Sequence, residues 1–141
     1  MSDRNNNLVV YTGSPSTSSS LARAQNHHPM VPAVVVASGE ATVRRFIEFF
    51  TATIRNGNTR TAYARAVSAF LEWCRVRSVH RLADIEPITV AAWVEELQQH
   101  RSAPTVKQHL AAVRMLFDWL VTGQVVRVNP AASVRGPKYV I

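Results

Sequence analysis

The sequence has little of several residue types, and each shortage excludes a class of structure. Its 141 residues include one cysteine, Cys74, which excludes an intrachain disulfide and a multi-cysteine zinc site. The longest apolar run, residues 31–37, is interrupted by Pro32 and is too short to span a bilayer. No basic segment leads directly into an apolar core near residue 1, so we predict no signal peptide. We therefore expect a soluble, cytoplasmic protein whose thiol is reduced and buried.

Acidic residues are also scarce relative to basic ones. Nine Asp and Glu stand against sixteen Lys and Arg, which gives a net charge of +7 and a pI near 10.8. This balance makes nucleic acid a candidate partner, although charge alone specifies neither a fold nor a target. A chain of this length can bury one modest core, so we expect a single domain with a tail.

The first 37 residues differ in composition from the rest. Asparagine fills positions 5–7, and serine, threonine and proline fill positions 14–20. Such a composition buries too little apolar surface to offset the entropy of ordering, which predicts a disordered tail over residues 1–37. The short apolar runs 8–11 and 34–36 could instead add a strand or contact a neighbouring chain, but a single short strand is unstable alone.

From residue 38 onward, apolar residues recur with the period of helices, and the pattern predicts four helices. The first has its apolar stripe at Val43, Phe46, Ile47, Phe50 and Ile54. We expect Gly57 to end this helix and Asn58 to cap the second. The third is expected to begin near Pro87, and the fourth to lie between Ser102 and Gly123. Short joints between these helices predict an all-α fold, a small four-helix bundle.

The fourth helix is apolar around nearly its whole circumference, which is typical of a helix at the centre of a bundle. Its first turn is different, because Thr105, Lys107 and Gln108 lie there, at the positive end of the helix dipole. That end of a helix suits a phosphate group.

Charged residues are sorted along the chain. Arginines concentrate on the second helix and in the exit segment, residues 127–138, whereas acids concentrate in residues 84–96. DNA phosphates would attract the first two and repel the third, so the second helix, the start of the fourth and the exit segment should share one DNA-facing surface. The alternative is that each arginine lies on an ordinary solvated surface.

Several short motifs follow one another in a fixed order. They are Thr59-Arg60-Thr61-Ala62-Tyr63, Phe70-Leu71-Glu72-Trp73-Cys74, Asp84-Ile85-Glu86-Pro87, residues 102–110, Val113-Arg114-Met115-Leu116-Phe117 and Asn129-Pro130-Ala131. With this ordered set, residues 59–138 resemble the N-terminal core-binding domain of phage integrases and other tyrosine recombinases. The resemblance implies a SAM-like helical DNA-binding domain over residues 38–126. It also implies that residues 127–141 begin a linker toward a catalytic domain.

The resemblance further implies that the second and fourth helices face DNA. Together with the charge pattern, it predicts a DNA-binding set of Thr59, Arg60, Thr61, Arg65, Thr105, Lys107, Gln108, His109, Arg114, Arg135 and Lys138. We expect the basic side chains to neutralise phosphates and the threonines to fix the register of the protein on the duplex. Gln108 and His109 are expected to reach base edges. For His109 the alternative is a partly buried polar residue beside the core.

Catalysis in tyrosine recombinases depends on a C-terminal set of Arg, Lys, His-x-x-Arg, a further His or Trp, and a nucleophilic Tyr. We recognise no such set in this sequence, since Tyr11 and Tyr139 lie in the expected tail and linker. We therefore expect duplex DNA as the partner and binding without cleavage. No metal, cofactor, membrane or small-molecule substrate is expected. The chain is interpreted as either a fragment of a longer recombinase or a free-standing remnant.

Two other functions stay open. A helix-turn-helix regulator needs two helices joined by a short turn; residues 78–86 are too long for that turn, whereas residues 56–58 would serve. A protein interaction module is the second alternative. In that case Phe46, Phe49 and Phe50 would give the first helix enough apolar surface to pair with other recombinase protomers.

Overall fold

The regular structure of the protein is helical throughout the described part. A computed structural model describes residues 31–138. It contains α1 (Ala33–Ala37), α2 (Glu40–Glu48), a π-helical turn (Phe49–Thr53), α3 (Gly57–Val76), a 3-10 turn (Leu82–Asp84), α4 (Pro87–Gln98) and α5 (Ala103–Thr122). The predicted all-α class is confirmed. Residues 1–30 of the expected tail lie outside the described residues, as do residues 139–141.

Helix α1 lies inside the segment that the sequence predicted to be a disordered tail. Val34 and Val35 are fully buried, and α1 packs against α2 and α3. The strand considered for residues 34–36 is therefore wrong, and the helical unit begins before residue 38. Ser38 joins this helix to the rest, because its hydroxyl donates to the Val34 carbonyl at 3.0 Å and accepts from the Leu82 amide at 3.4 Å.

The joint between α2 and α3 differs from the predicted one by two residues. Asn56, and not Asn58, caps α3, because its Oδ1 accepts from the amides of Asn58 at 2.9 Å and Thr59 at 3.0 Å. Gly57, which was expected to end the first helix, is the first residue of α3. The chain leaves helical geometry earlier, at Ile54, whose φ is −106°.

The burial of side chains at the end of α2 differs from the predicted stripe. Phe46 and Phe49 are buried and Phe50 is half-buried, whereas Ile47, placed on the buried stripe by the sequence, is 44% exposed. Phe50 packs edge-on against Phe46 and Phe49, with ring centroids 5.1 and 4.9 Å apart. These rings therefore contribute mainly to the core of this chain.

Helix α5 has the central position that its sequence predicts. It contacts α2, α3 and α4 and buries Val106, Leu110, Val113, Leu116, Phe117 and Leu120 at 1% exposure or less. From α3, Phe70 and Leu71 complete this core together with Cys74, which is fully buried. The predicted starts of α4 at Pro87 and of α5 after Ser102 are also confirmed.

The end of α5 is attached to α2 by a reciprocal contact. Trp119 Nε1 donates to the Arg45 carbonyl at 2.8 Å, while Arg45 donates to the Trp119 carbonyl from two nitrogens, at 2.9 and 3.3 Å. The guanidinium carbon lies 3.5 Å from the centroid of the indole. Gly123, which follows the helix, has an ordinary φ of −82°. A Cβ there would lie 2.2 Å from Arg45 Nε, so the close approach of Arg45 explains the glycine.

Candidate nucleic-acid interface

The first turns of α3 place three of the predicted DNA-binding residues near its N-terminus. Thr59 is half-buried, and Thr61 is exposed, with its hydroxyl donating to the Gly57 carbonyl at 3.1 Å. Arg65 lies one turn further along and is exposed. Among residues 31–138, no hydrogen bond or ion pair involves its guanidinium. This side chain is therefore the most accessible cation of the predicted α3 set.

Arg60 has a different environment from the one expected of a phosphate ligand. Its Nε donates to the Phe50 carbonyl at 2.8 Å, and a terminal nitrogen donates to the Ile54 carbonyl at 2.6 Å. These acceptors lie in the π-turn and just beyond it, where helical carbonyls have lost their usual partners. The guanidinium thus stabilises the joint between α2 and α3.

The start of α5 presents polar side chains, as predicted, but its cap is unusual. Ser102 precedes the helix, yet its hydroxyl donates to Thr105 Oγ1 at 3.0 Å and accepts no amide of the first turn. Lys107 is half-buried and Gln108 is exposed. The side-chain amide of Gln108 is therefore open to a ligand.

His109 is half-buried, which agrees with the alternative that it lies beside the core. Its ring is stacked on that of Trp93, with an angle of 27° between the planes and 6.3 Å between the centroids. The ring centroids of Trp93 and Phe70 are 4.7 Å apart. His109 Nδ1 is buried and has no hydrogen-bond partner among the described residues. Burial lowers the pKa of His109, and the positive charge of Arg101 lowers it further. The imidazole is therefore neutral near pH 7.

The exit segment does not leave the helical unit directly. Arg114 Nε donates to the Ala131 carbonyl at 3.2 Å, and one terminal nitrogen donates to the Val134 carbonyl. Asn129 Nδ2 donates to the Arg114 carbonyl at 3.0 Å and to Asp118 Oδ1 at 2.7 Å. The sequence predicts an exit at Asn129-Pro130-Ala131 but contains no signal that Asn129 bonds back to α5.

These bonds direct the exit segment back along α5 toward the start of that helix. A methyl group built on Gly136 would lie 3.5 Å from Leu110 Cδ2 and 3.7 Å from Lys107 Cγ. Arg135 and Lys138, on either side of this contact, are exposed. The structure therefore brings the exit segment to Lys107, and it places Arg114, predicted to bind phosphate, against carbonyl oxygens instead.

Three ion pairs of the described residues involve none of the predicted DNA-binding residues. Arg75–Glu72, Arg77–Glu96 and Arg81–Asp84 have closest distances of 2.6, 2.8 and 3.3 Å, and all are solvent-exposed. They belong to the end of α3, the joint that follows it, and α4. Residues 49–71, 97–117 and 119–138 contain no Asp or Glu. The predicted DNA-binding residues all fall within these three acid-free stretches.

Other classes of site find no support in the described range. Between residues 31 and 138 no helix combines the length and apolar character needed to cross a bilayer. In the same range, no three His, Cys, Asp or Glu side chains are grouped as a metal site requires.

Comparison with known proteins gives one family and several relatives. Residues 43–124 match the family described as phage integrase, N-terminal SAM-like domain. The chain is 31% identical over 84 residues to tyrosine recombinase XerC of Xylella fastidiosa (strain M23), covering 59% of this chain and 29% of that protein. It is 26% identical over 100 residues to tyrosine recombinase XerD of Chlorobaculum tepidum, covering 69% and 32%. The chain thus spans about a third of the length of these relatives. No solved structure matches it.

Proposed function

The chain belongs to the phage integrase N-terminal SAM-like domain family, and we propose that it binds duplex DNA as the core-binding part of a tyrosine site-specific recombinase. The binding surface would comprise the start of α3, the start of α5 and the exit segment. One observation carries this proposal: the exit segment returns to Lys107, so two acid-free stretches of the chain lie side by side. A surface that gathers cations in this way attracts phosphates.

The positions of the acids support the same surface. Asp84 and Glu96 are engaged by arginines on the side of the protein formed by α4 and the end of α3. Glu95, also on α4, is exposed. A duplex approaching that side would meet carboxylates, whereas one approaching Arg65 would not. Glu95 also lines a cavity together with Arg135 of the exit segment. Long-range attraction therefore favours the side that carries Arg65.

The proposed roles follow from the environment of each side chain. Arg65, Lys107, Arg135 and Lys138 contact phosphates, while Thr59 and Thr105 provide short hydroxyl donors that fix register. The Thr61 hydroxyl already donates to the Gly57 carbonyl. Gln108 is exposed and reads base edges with its amide. His109 contacts DNA only through Nε2, because its Nδ1 is buried. Arg60 and Arg114 are assigned to backbone carbonyls and not to phosphates.

We further propose that the residues of this chain contribute binding and not strand cleavage. The matching family describes an N-terminal domain, and the match ends at residue 124. In this proposal the chemistry of recombination would require catalytic groups that the described residues do not supply. Incubation with supercoiled DNA should then yield no nicked product, and nicking by the purified chain would contradict this part of the proposal.

Binding can be tested by fluorescence anisotropy with a labelled duplex of about 20 base pairs, titrated with the 141-residue chain at several salt concentrations. We expect the logarithm of the binding constant to fall linearly with the logarithm of the salt concentration. The magnitude of this salt slope is about 0.9 for each phosphate that a cation neutralises. Lys107→Ala and Arg65→Ala should each lower the salt slope by about one unit. Gln108→Ala should leave the slope unchanged and relax the preference among sequences in a selected duplex pool.

Arg44→Ala is the matched control, because Arg44 is an exposed cation on α2, outside the proposed surface. Its salt slope should equal that of the unmodified chain. The proposal fails if the folded chain shows no affinity for duplex DNA at low salt. It also fails if Arg44→Ala lowers the slope as much as Lys107→Ala does.

A further inference from the structure

Arg114 and Asn129 form a connected set of bonds between α5 and the exit segment. Arg114 donates to the carbonyls of Ala131 and Val134, and the Arg114 carbonyl accepts from Asn129. Asn129 also donates to Asp118 at 2.7 Å, and its Oδ1 accepts from the Ala131 amide at 2.9 Å. The two side chains therefore link residues 129–134 to α5.

The exit segment has little else to define its course. Between residues 123 and 138 the chain forms no regular helix or strand. Its own backbone bonds are long, with Ala132 to Asn129 and Val134 to Ala131 both at 3.3 Å. Pro130, Ala131 and Val134 are buried. Burial holds this stretch against the helices, and Val134 lines a cavity with Ile88 and Val94 of α4. The bonds from Arg114 and Asn129 set its register along α5.

The register of this segment along α5 determines the positions of Arg135 and Lys138. Gly136 packs on Leu110 and Lys107, so the backbone between Arg135 and Lys138 is held beside the start of α5. Arg135 also lines a cavity with Val94 of α4. Arg135 and Lys138 are both exposed. A shift of the segment along α5 would move both of them relative to Lys107.

We propose that Arg114 and Asn129 are positioning residues for DNA binding: they do not touch DNA, but hold Arg135 and Lys138 in line with Lys107. This inference rests on the proposed function of the same surface. It reassigns Arg114, which the sequence predicted to be a phosphate ligand, to a role exerted through the exit segment. It also gives a role to Asn129, which carries no charge.

The test uses two variants that remove no charge, Asn129→Ala and Arg114→Lys. If two phosphate contacts depend on the register, each variant should lower the salt slope by up to about 1.8, which is about 0.9 for each contact. Lysine retains the charge of arginine but cannot donate from a planar fork to two carbonyls. A direct phosphate contact by residue 114 would instead survive in Arg114→Lys, and Asn129→Ala would leave the slope unchanged.

A double-mutant cycle separates positioning from direct contact. In the Arg135→Ala/Lys138→Ala background, Asn129→Ala and Arg114→Lys should have no further effect on the slope, because the cations that they position are gone. Arg114→Gln should likewise have no further effect there. An additional loss of about 0.9 with Arg114→Gln in that background would indicate direct phosphate contact and overturn the proposal.

Hydrogen exchange provides a readout that does not require DNA. Asn129→Ala should speed exchange of the Ala132 and Val134 amides while leaving the amides of α3 unchanged. Asn129→Ser, which retains a short acceptor, repeats the test if the alanine variant unfolds globally. Unchanged exchange and an unchanged slope in both Asn129 variants would refute the positioning role. Absence of DNA affinity in the unmodified chain would instead refute the proposed function, whatever the exchange result.

Discussion

Gly123 offers a sharp test of how α2 and α5 are joined. Its φ of −82° is open to any residue, so replacement by alanine should by itself stabilise the chain by about 0.4–1 kcal/mol through the unfolded state. The structure predicts the opposite result. The three atoms nearest to an added Cβ all belong to Arg45, at 2.2, 2.8 and 2.9 Å.

The magnitude follows from what Arg45 would lose on moving away. Its two bonds to the Trp119 carbonyl have a charged donor, and we take about 2–3 kcal/mol for both because the site is partly exposed. Its position over the indole adds about 0.5–1 kcal/mol. After the gain from alanine is subtracted, Gly123→Ala should destabilise the chain by about 2 kcal/mol. For a domain of this size, that lowers the Tm by about 10 °C.

Urea unfolding followed by circular dichroism measures this free energy, and a second background decides the mechanism. In Arg45→Ala the obstructing side chain is absent, so Gly123→Ala should now be neutral or stabilising by up to about 1 kcal/mol. The reasoning is refuted if Gly123→Ala destabilises both backgrounds equally. It is also refuted if the single variant is as stable as the unmodified chain.

Two further predictions concern the titratable groups of Cys74, in the core, and His109, beside it. Burial raises the pKa of Cys74 to about 12, against a smaller opposing effect of Arg77. At pH 8 a disulfide reagent should therefore label this thiol only as the chain unfolds. Rapid labelling of the native chain would contradict its burial. Burial lowers the pKa of His109 in the folded chain. The neutral imidazole therefore makes its full contribution to stability above the unfolded pKa of about 6.5, and this contribution is lost as the pH falls toward the folded pKa. Between pH 7.5 and 5.5, His109→Gln should therefore lose less stability than the unmodified chain in urea unfolding, and equal losses would contradict the assignment.

The sequence alone was sufficient for the helices and for most of the core. Apolar residues at helical spacing predicted the four main helices and the central position of α5, and proline and serine marked the starts of α4 and α5. These signals are local, because a helix satisfies its own backbone within four residues and buries whatever face its sequence makes apolar. The same reasoning missed α1, whose five residues contain too short a pattern to show a period and which is stabilised by packing on α2 and α3.

The candidate site was predicted only in part. The sequence separated the arginines of the second helix and exit segment from the acids of residues 84–96, and it selected Arg65 and Gln108, whose role in binding DNA stays a prediction. It treated Arg60 and Arg114 as equivalent to the other cations, although both donate to backbone carbonyls. Nothing in a residue's own neighbourhood distinguishes a cation that faces solvent from one that satisfies a carbonyl of another segment.

The sequence by itself determined where helices form, which faces they bury and how charge is distributed along the chain. Only the tertiary structure decided that Asn129 bonds back to α5, that the exit segment returns to Lys107, and that Gly123 makes room for Arg45. The physical reason is the separation in sequence between the residues that interact. Helical periodicity and charge order are properties of neighbouring residues, whereas the partner of a long polar side chain depends on which distant carbonyls the folded chain leaves unsatisfied beside it.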